Sequence, residues 1–199
     1  MIKDRDILLS LLRGEARLAD LDLHQFDLAI RQARAARLLG WLAVRAQTEG
    51  ADLKPPPGAA SQLLSARHMA TAHQRALLWE LNRIEDALSG VEHPVILLKG
   101  AAYAALGLPN SHGRFYGDID LMVPREELEA VEDRLKWKGW ISNHTRGDYD
   151  DRYYRRWMHE IPPLRHIKRD TVLDLHHTIL PPSSRIKVDT SALFNEVVS

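Results

Sequence analysis

The chain has 199 residues, 45% of them hydrophobic, with Lys+Arg and Asp+Glu balanced at 27 each. That is enough apolar material for a buried core, which excludes wholesale disorder, and the balance removes the global basic field of a dedicated nucleic-acid binder. Zero cysteine excludes disulfides and thiolate zinc sites; with no signal-peptide pattern at the N-terminus and no apolar run long enough for a bilayer, a soluble cytoplasmic protein is expected.

Residues 1–90 are rich in Ala, Leu and Arg and read as a helical region. Asp22 and Gln25 have capping-box spacing and open a long helical stretch that carries Phe26, Ile30, Ala33 and Trp41. Pro55, Pro56, Pro57 and Gly58 break the chain. A second long helix is expected from near Ser61, with Leu77, Leu81, Ile84 and Leu88 as its core stripe. The arginines between these apolar positions read as a solvated face, or as a basic surface for a polyanion.

From residue 91 the texture changes to short apolar runs separated by turns. The run Pro94 to Leu98 reads as a strand buried on both faces. Lys99-Gly100 follows, then a short helix over Ala101 to Leu106 and a polar loop from Asn110 to Gly113. Gly117 to Val123 reads as the next strand. Pro124 opens a helix with Glu126, Glu127 and Glu129 in its first turns, where the helix dipole favours anions, and Gly139 ends it. Residues 143–151 are turn-like, Tyr153 to Leu164 is expected to contain a strand, and Thr171 to Ile179 another. The fold class is therefore α+β, a mixed sheet flanked by helices with an N-terminal helical region, divided as 1–90 and 91–199.

Asp118-Ile119-Asp120 interrupts an apolar strand. Alternation puts both acids on one face and sends Ile119, Leu121 and Val123 into the core. Two carboxylates so close repel unless something positive compensates or one pKa rises. A divalent cation is the natural partner, and Mg²⁺ takes one or two carboxylates together with waters and phosphate oxygens. Lys99-Gly100 ends one strand and starts a helix, so its backbone amides and the lysine charge suit a phosphate. Asp174 repeats the pattern inside Val172 to His176, with His176 on its own face.

The run VILLKGAAYAALGLP…GRFYGDIDLMVPREELEAVEDRLKWKGW, followed by VLDLHHTIL, resembles the DNA polymerase beta-like nucleotidyltransferase superfamily. It is most similar there to the bacterial family labelled "uncharacterised nucleotidyltransferase". The resemblance covers roughly residues 91–180. It implies Asp118 and Asp120 as ligands of Mg²⁺ or Mn²⁺, and Asp174 as third metal carboxylate and general base toward an acceptor hydroxyl. Gly100 would lie under the triphosphate, with Arg114 neutralising phosphate charge. The reaction implied is transfer of a nucleoside monophosphate from a nucleoside triphosphate to an acceptor that the resemblance leaves open. Ala101 departs from the Ser or Gly that usually follows this glycine, so no side-chain hydroxyl is available there. Members of the family often continue past the third carboxylate, so a C-terminally shortened core is an expectation for 91–199.

Two other readings fit the same motifs: a catalytically degenerate nucleotide-binding or interaction module, and a toxin-like transferase acting on RNA or protein. The sequence leaves the oligomeric state open. No zinc site is expected among His159, His166, His176 and His177, because none forms a helical His-x-x-x-His pair beside acids. His176 is assigned to Asp174 or to the nucleotide, and His159 to the lining of the cleft.

Overall fold

The computed structural model describes residues 7–50, 53–142 and 153–196. The polar turn expected at 143–151 lies outside the described residues. The chain forms two compact units, one of residues 1–76 and 107–115, the other of 77–106 and 116–199.

The first unit is helical: α1 (Ile7–Leu12), α2 (Leu23–Ala35), α3 (Leu39–Glu49) and the first part of α4 (Pro57–Leu88). Asp22 caps α2 through a complete capping box, its carboxylate accepting from Gln25 N at 2.8 Å. The single helix expected through Trp41 is instead two. Arg37 takes the left-handed conformation at φ 59°, and Leu38 N donates to Ala33 O at 2.7 Å while Arg37 N donates to Arg34 O. These bonds make a Schellman motif, which ends α2 without a glycine. Ile7, Leu11, Phe26, Ile30, Leu42 and Leu63 form this unit's core. Gly40 and Gly113 meet backbone to backbone: a Cβ at Gly113 would lie 2.4 Å from Gly40 O, so neither position admits a side chain.

The second unit carries a five-stranded sheet in the order β1-β2-β5-β4-β3. Its strands are β1 (Ile96–Leu97), β2 (Asp118–Met122), β3 (Trp140–Ser142), β4 (Leu164–His166) and β5 (Val172–His176). Only the β2–β5 pairing is parallel among these strands; the other three are antiparallel. The fold is thus α+β with a mixed sheet. The apolar run at 94–98 is not a doubly buried central strand. Two of its residues pair with β2 at the sheet edge, and both are only half-buried.

Helix α5 spans Lys99–Ala105 and α6 spans Leu128–Trp137, the latter entered through a 3-10 turn at Arg125–Glu127. Leu77, Ile84 and Leu88 of α4 and Leu128, Val131 and Leu135 of α6 share one core with Ile119, Leu121, Leu173 and Leu175 of the strands. The strand expected within 153–164 is displaced. Residues 153–157 are helical, and the chain pairs with β5 in two pieces, at Glu160 and again from Leu164. Pro162 and Pro163 fall between the pieces; lacking N–H groups, they cannot continue a ladder. No helix among the described residues is long and apolar enough to cross a membrane.

Candidate active site

The site grows out of the β2–β5 pairing. In register, Asp120 stands beside Asp174 and Asp118 beside Val172. Ile119, Leu121, Leu173 and Leu175 are each at most 2% exposed on the core face. Alternation therefore leaves Asp118, Asp120, Asp174 and His176 on the opposite face. Asp118 is exposed at the strand's start, and Asp120 is buried.

Lys99 enters this face because β1 is pinned to β2: Leu98 N donates to Asp120 O at 2.9 Å, and α5 starts at the next residue. Lys99 sits at φ 47°, a left-handed conformation that costs a non-glycine residue about 1–3 kcal/mol. Its Nζ donates to Asp120 Oδ1 at 2.5 Å. The bond to Asp120 holds the lysine above its ordinary pKa. Nε2 of the buried His176 lies 3.1 Å from the same carboxylate oxygen, so this histidine reaches Asp120 rather than Asp174. Burial pushes the Asp120 carboxyl up, but the bonds with His176 and Lys99 outweigh it and hold the group below its ordinary value.

Asp174 is the opposite case. Its buried Oδ1 has no hydrogen-bond partner. Burial, then the negative charges of Glu160, Asp120 and Asp118, push its carboxyl from 3.8 up to about 6. Gly100 lies buried in the first turn of α5, where no side chain caps the free amides, and Ala101 is fully buried. Arg114 belongs to the first unit, in its 107–115 segment. Asp118, Asp120, Asp174, Lys99, Gly100 and His176 all belong to the second.

Glu160 was not among the sequence candidates. Ile161 N donates to Leu175 O at 3.0 Å and His177 N to His159 O at 3.0 Å, which straps 159–161 against the end of β5. Glu160 Oε2 thereby comes 3.4 Å from His176 Nε2 and 3.5 Å from His159 Nε2. The histidine and acid grouping that the sequence argued against is therefore present, assembled across strands rather than along a helix.

The donor set suits a hard divalent cation. Mg²⁺ prefers carboxylate oxygens, and the unpartnered Asp174 oxygen beside three further acids is a local charge excess that such an ion relieves.

The pKa shifts predict a pH signature. Between pH 4 and 6 the folded protein keeps a proton on Asp174 that the unfolded chain has lost, so this group lowers stability as pH rises. His177, buried and pushed from 6.5 down to about 4, works the other way: its contribution is intact above pH 6.5 and is lost on acidification. The two nearly cancel. Asp174→Asn is expected to stabilise the chelator-treated protein at pH 7.5 by on the order of 1–2 kcal/mol, half the full linkage value after solvent screening. It should also steepen the acid-side loss below pH 6.5 that His166, likewise buried and pushed down, already gives the wild type. Thermal melts across pH 4–8 check this; a less stable variant at pH 7.5 would mean that Asp174 has a favourable partner.

A family model described as "uncharacterised nucleotidyltransferase" matches residues 22–199. No curated protein and no solved structure matches.

Proposed function

The chain belongs to the uncharacterised nucleotidyltransferase family, and from that premise we propose that it transfers a nucleoside monophosphate from a nucleoside triphosphate to an acceptor, with Mg²⁺ or Mn²⁺. The observation that carries this reading is the pairing of Asp120 with Asp174, with Asp118 on the same face two residues upstream. Asp118, Asp120 and Asp174 would hold the metal, which when bound neutralises triphosphate charge and activates the attacking oxygen.

The remaining work falls to the chain's own groups. Asp174, beside Asp120 in the sheet, would also serve as general base toward the acceptor hydroxyl. Uncapped amides at the start of α5, around Gly100, can receive phosphate oxygens. Lys99 supplies a point charge once its ammonium leaves Asp120. His176 fixes the orientation of Asp120 and stands beside the nucleotide. Most of the catalysis would come from positioning and electrostatics.

The test is to follow α- and γ-labelled triphosphates in the presence of RNA, protein and small-molecule acceptor pools. The α-label should enter an acceptor while the γ-label leaves in pyrophosphate. Transfer of the γ-label would instead mark a phosphoryl transferase. A second reading, a nucleotide-binding module without turnover, is favoured by one observation: Lys99 already neutralises Asp120 at 2.5 Å. Under that reading triphosphate binds and no α-label moves.

A further inference from the structure

The acids form one group of ligand atoms; His159, Glu160 and His176 form another. One ligand atom from each lies within 4.8 Å of the others. The Glu160 carboxylate stands 3.4 Å from His176 Nε2 and 3.5 Å from His159 Nε2, long for hydrogen bonds. A tetrahedral ion with bonds of about 2.0–2.1 Å separates its ligand atoms by about 3.3 Å, which these two distances approach. The rings of His159 and His176 lie 5.2 Å apart and 34° from parallel, and the Nε2 of each approaches the same oxygen of Glu160. The strap of 159–161 on β5 holds all three in place through backbone bonds.

We propose that His159, Glu160 and His176 bind a borderline-soft divalent cation such as Zn²⁺, at a site that adjoins that of the three aspartates through the His176–Asp120 contact. Two imidazoles and one carboxylate suit Zn²⁺, while Mg²⁺ prefers oxygen alone. Three protein ligands leave a fourth position open to water or a substrate oxygen. His176 Nε2 can offer its lone pair to this ion or an N–H to Asp120, one at a time, so occupancy would release Asp120 from one of its two partners.

The proposal does not depend on nucleotide transfer, and its test uses the metal alone. Full-length, untagged, chelator-treated protein is titrated with Co²⁺ and then Zn²⁺ in millimolar Mg²⁺. The expected result is one equivalent of Co²⁺ with the intense visible bands of tetrahedral coordination, displaced by Zn²⁺ and not by Mg²⁺. His159→Gln and Glu160→Gln should weaken binding by more than the roughly 10–100-fold that losing a mere partner of a metal ligand costs. Asp174→Asn should keep it. Circular dichroism establishes that each variant is folded. Binding by wild type no tighter than by His159→Gln would overturn the assignment, as would binding lost equally in Asp174→Asn or displaced by Mg²⁺.

Discussion

Asp118→Ala is expected to abolish nucleotidyl transfer, a loss of at least about 10²–10³ on the scale of removing one preorganised electrostatic contact. The melting temperature should stay within a few degrees of wild type. The asymmetry comes from where Asp118 sits. It is the exposed first residue of β2, aligned with Val172, on the face opposite the core. Removing it deletes one acid from a group of like charges and leaves the core below untouched. Asp120 is a poorer probe, because it is 3% exposed and anchors both Lys99 and His176. Its loss would strand a lysine in a strained conformation together with a buried imidazole. Initial rates and thermal melts on the same preparations separate the two effects. An Asp118→Ala protein that unfolds would assign the residue to structure; one that is folded and fully active would remove it from the reaction.

Arg169→Leu is expected to cost about 3–5 kcal/mol of stability, the range for breaking one side of a buried ion pair. Glu80, on the second part of α4, is 3% exposed. The Arg169 guanidinium holds it through contacts of 2.5 to 3.0 Å and also lies 5.5 Å from the Trp79 ring centre and 5.8 Å from that of Trp140. The pair thus ties α4 to the turn between β4 and β5. Without Arg169 a carboxylate stays buried with only Thr171 Oγ1 at 3.4 Å. Adding Glu80→Leu removes that stranded charge and should recover most of the loss. Urea midpoints of wild type, single and double variants decide it. A double variant as unstable as the single would show that the arginine acts by packing on the two tryptophans.

What was legible in the sequence were features made by neighbours in the chain. The Asp22 capping box, the Leu77 to Leu88 stripe and the alternating acids of β2 and β5 each depend on fixed local spacing, and each appears in the fold. What was missed depends on pairing or on a single backbone angle. The left-handed Arg37 splits α2 from α3 in a stretch whose periodicity continues unbroken. The short β1 looked central because all its residues are apolar, yet an edge position needs only that it cover one side of β2. Glu160 carried no signal: it falls inside 153–164, a stretch that reads only as containing a strand. Only the bridge to His176, closed across sixteen residues of chain, turns it toward the acids. The same bridging brings His159 and His176 together, which no helical spacing rule detects.

The three aspartates are proposed to hold a metal-bound triphosphate. The most direct test is calorimetric titration of wild type, Asp118→Ala and Asp118→Ala/Asp120→Ala with each nucleoside triphosphate, with and without Mg²⁺, with circular dichroism on the same samples because Asp120 also anchors Lys99 and His176. Folded wild type is expected to bind only with Mg²⁺, and the variants, still folded, to lose that binding. A folded wild type that binds no triphosphate, or a double variant that binds as tightly as wild type, would contradict it.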